Sequence, residues 1–317
     1  MVKELAVILL FMYSTCQRTT RSSPAIPPAP SSFDLPDPHF KTFNGQLYSY
    51  HGECDLVLMY SKMFDSDAGI RVHVRTTRVD TLLGVSYSYV SGAAVQVGDH
   101  VLEASEDGTI TFDKLPITFE DHEAKHGEER NISTSSTSTT TTVFAGYTFS
   151  RTVKGRKGQI FAFELNLGNG NVIKIRTNTK THMMYVDVEG HYEGSVGLLG
   201  APAGEDDRLL SRDGSLDLTG NWNSFAEEWQ VKDQDPMLFQ DARDPQYPVT
   251  CLYDESSKKK NLRHRCLLDN AARSQTMDLE AATAACAHTI LGEMRQFCIE
   301  DVMATGDEEL ASDPFYN

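Results

Sequence analysis

Between Asp37 and Val231, apolar and polar residues alternate in short runs, and most runs stop at a turn signal. Runs with this alternation, or rich in β-branched and aromatic residues, predict strands. They are Leu56–Ser61, Ile70–Thr76, Val85–Val90, Ala94–Val97, Thr109–Phe112 and Ile117–Phe119, then Val143–Ser150, Gln159–Leu165, Val172–Arg176 and Met183–Val188. Asp67-Ala68-Gly69, Val97-Gly98-Asp99, Glu106-Asp107-Gly108, Lys154-Gly155-Arg156 and Gly168-Asn169-Gly170-Asn171 supply the turns between them. Asn44-Gly45 predicts a further hairpin, since both residues tolerate positive φ. In Ile70-Arg-Val-His-Val-Arg75 every second residue is apolar, which predicts one buried and one wet face. Short strands with turns this frequent predict a mainly β fold, an antiparallel β-sandwich.

The pattern changes after Cys251. Asp278–Arg295 is rich in helix formers with apolar positions at helical spacing, Phe297–Met303 continues in the same way, and Glu308–Ala311 begins another turn. This predicts a small α-helical, cysteine-containing C-terminal region over residues 232–317. At the other end, Lys3 precedes the apolar run Leu5–Tyr13 and the small residues Ser14-Thr15-Cys16, the pattern of a signal peptide over residues 1–16. That run is too short to span a membrane. Residues 17–36 form a Pro/Ser/Thr-rich linker, in which Pro24, Pro27, Pro28 and Pro30 favour extended backbone. Within the β region, 37–231, residues 131–142 read as a loop, because Ser133–Thr142 contains only Ser and Thr. Asn131-Ile132-Ser133 is an N-glycosylation sequon, and the Ser/Thr run suits O-glycosylation.

Charge narrows the class of partner. Lys and Arg number 29 against 45 Asp and Glu, a net charge of −16, which argues against nucleic acid. The basic cluster Lys258-Lys259-Lys260 with Arg263, His264 and Arg265 reads as a solvated loop, with a processing site or polyanion contact as the alternative. No Cys-x-x-Cys pair, His-Glu-x-x-His or Gly-x-Ser-x-Gly motif is present, and His39, His51, His182 and His191 read as structural side chains. The chain is therefore expected to be no enzyme. Removal of Cys16 with the signal leaves five cysteines, an odd number that leaves one free or paired with another molecule. Cys286 and Cys298, twelve residues apart on neighbouring helical segments, suit a helix-hairpin clasp.

The segment Asp37-Pro-His-Phe through Thr42-Phe-Asn-Gly45 to Gly52-Glu-Cys-Asp-Leu-Val-Leu58 resembles the opening of von Willebrand factor type D domains. Tyr192-Glu-Gly-Ser-Val-Gly-Leu-Leu-Gly200 resembles that family's glycine-rich segment, and Phe225-Ala-Glu-Glu-Trp229 its closing element. Cys298–Asp307 resembles the helical cysteine segment that often follows. The resemblance implies a bridge from Cys54 to a cysteine shortly after the Trp, for which Cys251 is nearest; a local Cys251–Cys266 bridge is the rival. Closing so long a loop would restrict the unfolded chain by roughly 4 to 5 kcal/mol. It also implies a calcium ion between the Asn/Asp-Gly turn and the acidic loop, which carries over onto Asn44, Asp206 and Asp207. Ala201 and Ala203 stand where oxygen donors are usual, so backbone carbonyls or water would have to substitute.

The expected function is that of a secreted, non-enzymatic type D module in extracellular adhesion, matrix or protein assembly. Its partners would be extracellular proteins or glycan-rich matrix, with self-association through the odd cysteine. The alternative is a calcium-binding or metal-dependent extracellular protein that uses the acidic loop. Peptide mapping without reductant is expected to recover Cys54 joined to Cys251. A Cys251–Cys266 peptide would reject that pairing.

Overall fold

The computed structural model describes residues 38–50, 52–80, 86–117, 119, 138–154, 160–179, 182–202, 204–252, 279–289, 292–305 and 308–312, all within one compact unit, Leu35–Asn317. The expected signal peptide 1–16 and linker 17–36, Asn131, the basic cluster 258–265, Cys266 and His51 lie outside the described residues.

Alternation along the central strands sets the architecture. Strands β1 (His39–Lys41) and β2 (Leu47–Ser49) pair as a hairpin. A six-stranded antiparallel sheet follows in sequence order: β3 (Asp55–Ser61), β4 (Ile70–Asp80), β5 (Ser86–Val97), β6 (His100–Ser105), β7 (Ile110–Phe112) and β8 (Leu115–Pro116). Strands β9 (Ser138–Phe144), β10 (Tyr147–Lys154), β11 (Ile160–Gly168), β12 (Asn171–Asn178) and β13 (Met183–Glu189) form a second, antiparallel meander. Ile70, Val72 and Val74 of one sheet and Phe149, Phe163, Leu165, Ile173 and Ile175 of the other belong to one buried core. Phe149 sits at its centre, stacked on Phe163 at 6.0 Å and edge-on to Phe112 at 5.2 Å, spacings at which aromatic rings attract. The expected fold is the observed one: mainly β, antiparallel, with a few C-terminal helices joined by a disulfide.

Several elements differ in detail. The last five residues of the Ser/Thr run are not a loop, for Ser138–Thr142 lies in β9, where β-branched threonines suit a pleated strand, while 131–137 lie outside the described residues. The single strand expected over Val143–Ser150 is a hairpin that turns at Ala145-Gly146, both at positive φ (50° and 85°). The two strands expected between Val85 and Val97 are one, β5, whose pairing with β4 shifts register at Ser91. Ile117 and Phe119 are not in a strand; Leu115–Pro116 pairs there instead. Strand β6 had no counterpart in the expected set. Asn44 is outside the positive-φ region, and Gly45 alone takes the left-handed turn.

Helix α1 (Trp222–Glu228) follows the sheets, capped by the Asn221 side chain, which accepts from the Ser224 N–H. The C-terminal region forms α2 (Leu279–Ala285), a 3₁₀ turn Cys286–His288, and α3 (Glu293–Thr305). The helix expected over 278–295 is therefore interrupted: Thr289 is extended (ψ 152°) and Gly292 takes φ 103°. Ala282, Cys286, Cys298, Val302 and Ala311 form a small core of their own, against which Tyr185 of β13 packs. His39 of β1 stacks on Phe297 of α3 at 3.7 Å and joins this module to the β body.

The outer face of β4 is not wet. Arg71, His73 and Arg75 point away from the core, yet His73 is 1% exposed. Segment 230–252 crosses this face: Leu238 and Phe239 pack with Ala94, and the Arg75 guanidinium lies 4.3 Å from the Phe239 ring. Neither ring nitrogen of His73 has a hydrogen-bond partner among the described residues. Burial pushes its pKa from 6.5 down to about 4; Asp235 and Asp55 pull it back, while Arg71 and Arg212 push it further down. A depressed folded pKa means stability that is complete above pH 6.5 and is lost as pH falls through about 4. The loss attributable to His73 is roughly 3 kcal/mol. Urea midpoints measured between these pH values are expected to fall more steeply for the wild type than for His73→Leu, and equal slopes would remove this account.

Candidate functional site

Three stretches singled out in the sequence meet on one side of β3. The first is the turn between β1 and β2, closed by Gly45 N–H to Thr42 C=O (2.9 Å) and held by Thr42 Oγ1, which accepts from the Gln46 N–H (3.0 Å). The second is the glycine-rich segment. Leu198 and Leu199 N–H donate to Val57 and Leu58 C=O (both 3.1 Å), and Tyr60 and Val196 exchange backbone bonds (2.8 and 2.9 Å). Tyr48 ties the two together by donating its buried hydroxyl to Leu198 C=O (2.8 Å), and Phe43 N–H donates to Leu199 C=O (2.9 Å). The glycines are structural. Gly197 has φ 128°, and a Cβ there would lie 2.6 Å from the Leu58 carbonyl oxygen.

The third stretch is the acidic loop. Asn44 bridges to it twice: Oδ1 accepts from Gly204 N–H (3.3 Å) and Nδ2 donates to Asp206 C=O (3.4 Å). Gln46 Nε2 donates to Asp207 C=O (2.7 Å). Asp206 accepts from the Arg208 N–H (3.0 Å) and from Nε (2.9 and 3.0 Å) and Nη2 of its guanidinium. These bonds, the side-chain fork foremost, hold its carboxyl at about 2. Asp213, which accepts from Ser211 Oγ (2.6 Å), Ser215 N–H (3.0 Å) and Ser215 Oγ (2.8 Å), is likewise held at about 2.

Asn44, Asp206 and Asp207 are thus brought together, but as a hydrogen-bonded set. Calcium requires six to eight oxygens around one point. Here the Asn44 oxygen serves Gly204, and the Asp206 carboxylate serves Arg208. The carbonyls of Asp206 and Asp207 face amide N–H groups, and Ala201 offers no side-chain oxygen. The arrangement does not fit a tight calcium site. Among the described residues no group of three or more His, Cys, Asp or Glu side chains is placed to hold a metal.

Beyond the loop the chain turns back over β3. Val57 N–H donates to Trp229 C=O (2.8 Å) and Val231 N–H to Asp55 C=O (2.8 Å), so the strand is paired along its outer edge. Arg212 pins this crossing. Its guanidinium bonds to Glu228 C=O (2.8 Å), Gln230 C=O (2.6 Å) and Asp235 (3.0 Å), and lies 5.1 Å from the Trp229 ring. Farther along, Arg243 reaches Asp55 (3.4 Å) and Glu53 (3.3 Å). Cys251 then bonds Cys54, closing a separation of 197 residues, and Cys286 bonds Cys298 across 12. Gln46, His73, Arg208, Arg212 and Arg243 were not distinguished in the sequence. Only the short Asp206-x-Arg208 spacing carried a local signal.

The described histidines among those read as structural lie apart, each with its own partners. His39 is engaged with Ser49 (2.8 Å) and Phe297, His182 lies 3.8 Å from Glu106, and His191 donates its backbone N–H to Asn171. A cavity of about 270 Å³ opens where β1, β5 and β13 approach, walled in part by Phe40, Phe43, Val90, Met184, Val188 and Leu199.

A two-sheet antiparallel body whose first long strand is bridged to the segment after a closing Trp defines a class of disulfide-clasped β module. Residues 35–162, from before β1 into β11, match the family model of the von Willebrand factor type D domain, so the chain carries a domain of that family. No curated protein matches the chain. Type D domains are non-enzymatic modules of extracellular adhesion and assembly, and no described helix is long and apolar enough to cross a membrane.

Gly197→Ala is expected to lower stability by about 3 kcal/mol or more, through the clash with Leu58 and the strained φ. Gly146→Ala, with φ 85° but open space around it, should cost only about 1 kcal/mol. Equal losses in thermal unfolding would remove the close-approach argument.

Proposed function

We propose that the chain is a secreted, non-enzymatic type D module that presents its disulfide-clasped β body as a docking surface for other extracellular proteins or glycan-rich matrix. The family match over residues 35–162 carries this reading. The two disulfides support it, since such bonds persist in oxidising compartments. In this reading residues 1–16 direct export, Asn131 carries an N-glycan, and Cys266 is the thiol left over for joining a second molecule.

The test is expression of the full chain, with its own N-terminus, in cells that secrete. Medium analysed without reductant is expected to contain a glycosylated chain that loses mass in the Asn131→Gln variant. Species of higher mass should collapse on reduction and be absent from Cys266→Ser. Protein retained in the cytosol with all cysteines titratable would overturn the reading.

A further inference from the structure

The acidic loop carries its own cation. Its docking onto the β1–β2 turn uses N–H donors only: Asn44 Nδ2 to Asp206 C=O, Gln46 Nε2 to Asp207 C=O, and Gly204 N–H to Asn44 Oδ1. A metal in the same place would need those oxygens turned toward it. Arg208 is two residues from Asp206, and its planar fork engages both oxygens of that carboxylate, a geometry a single ammonium cannot reproduce. Asp207 and Asp217 also add to the negative field at the guanidinium. A divalent ion approaching Asp206 would meet this positive charge at contact distance, and would first have to displace a charge-assisted pair.

We propose that the Arg208 guanidinium takes the part that the family resemblance gives to calcium, holding Asp206 so that segment 204–208 stays docked against Asn44 and Gln46 and the loop is ordered without metal. The pair lies at the surface, so its role is local: it sets the shape of the loop and not the stability of the β body. Removing the guanidinium would free the Asp206 carboxylate while the Asp206 and Asp207 backbone carbonyls stay against Asn44 and Gln46, and calcium could then gather these oxygens.

Hydrogen exchange over residues 204–208 of the full chain, in chelator and in millimolar calcium, tests this. The unmodified chain is expected to exchange at the same rate in both. Arg208→Gln should exchange roughly tenfold faster in chelator, as befits loss of hydrogen bonds to a charged group, and calcium should slow it again. Calcium protection of the unmodified chain would overturn the proposal without recourse to any variant. So would an Arg208→Gln variant that exchanges at the wild-type rate, or one whose fast exchange calcium leaves unchanged.

Discussion

An apolar strand at the edge of a sheet has unpaired backbone along one side and side chains to bury on both faces. Strand β3 is such a strand, with Leu56, Val57, Leu58 and Met59 all buried. An exposed edge of this kind would recruit other strands. In this chain two later segments close it. Val196–Leu199 pairs with its C-terminal half, and Trp229–Val231 with its N-terminal half. The path from β13 to Cys251 follows from that requirement. The glycine at 197 permits the first contact, and Arg212 holds the turn that makes the second.

Covering β3 also covers part of β4, and this has an electrostatic consequence. Arg75, Arg212 and Arg243 lie partly buried between the sheet and the crossing segment, each beside a carboxylate: Asp55 for Arg75 and Arg243, Asp235 for Arg212. Pairs of this kind are costly to break singly, because the remaining charge is left in a poorly solvated place. His73 lies in the same layer with no side-chain hydrogen bond among the described residues. Its neutral form is the one the packing accepts, so this layer is one place where acid weakens the fold.

The strands whose alternation is complete were legible, because burial on one face leaves a period of two. Ile70–Arg75 is an example. Where burial comes from a distant segment the alternation says less: β3 reads as a continuous apolar run, and His73 reads as solvent-facing until residues 230–252 are laid across it. Strand β9 was hidden by its composition, since threonine is common both in loops and in strands and only the Ala145-Gly146 turn separates it from β10. At the candidate site the glycines and Asn44 could be located from the sequence. The partners of Arg212 and Arg243 could not, for the sequence does not reveal which distant carboxylate or carbonyl each arginine will face.

The bond between Cys54 and Cys251 sets their Cα atoms 5.4 Å apart, although 197 positions of chain separate them. Tension applied at the two termini therefore has a short covalent path through sulfur. The polypeptide between the cysteines lies off that path and cannot be drawn out while the bond is intact. Only the flanking regions can extend, and of these the described helices have a smaller cross-link of their own. A module built in this way would keep strands β3 to β13 folded under tension, and reduction of one bond would put them on the path of the load.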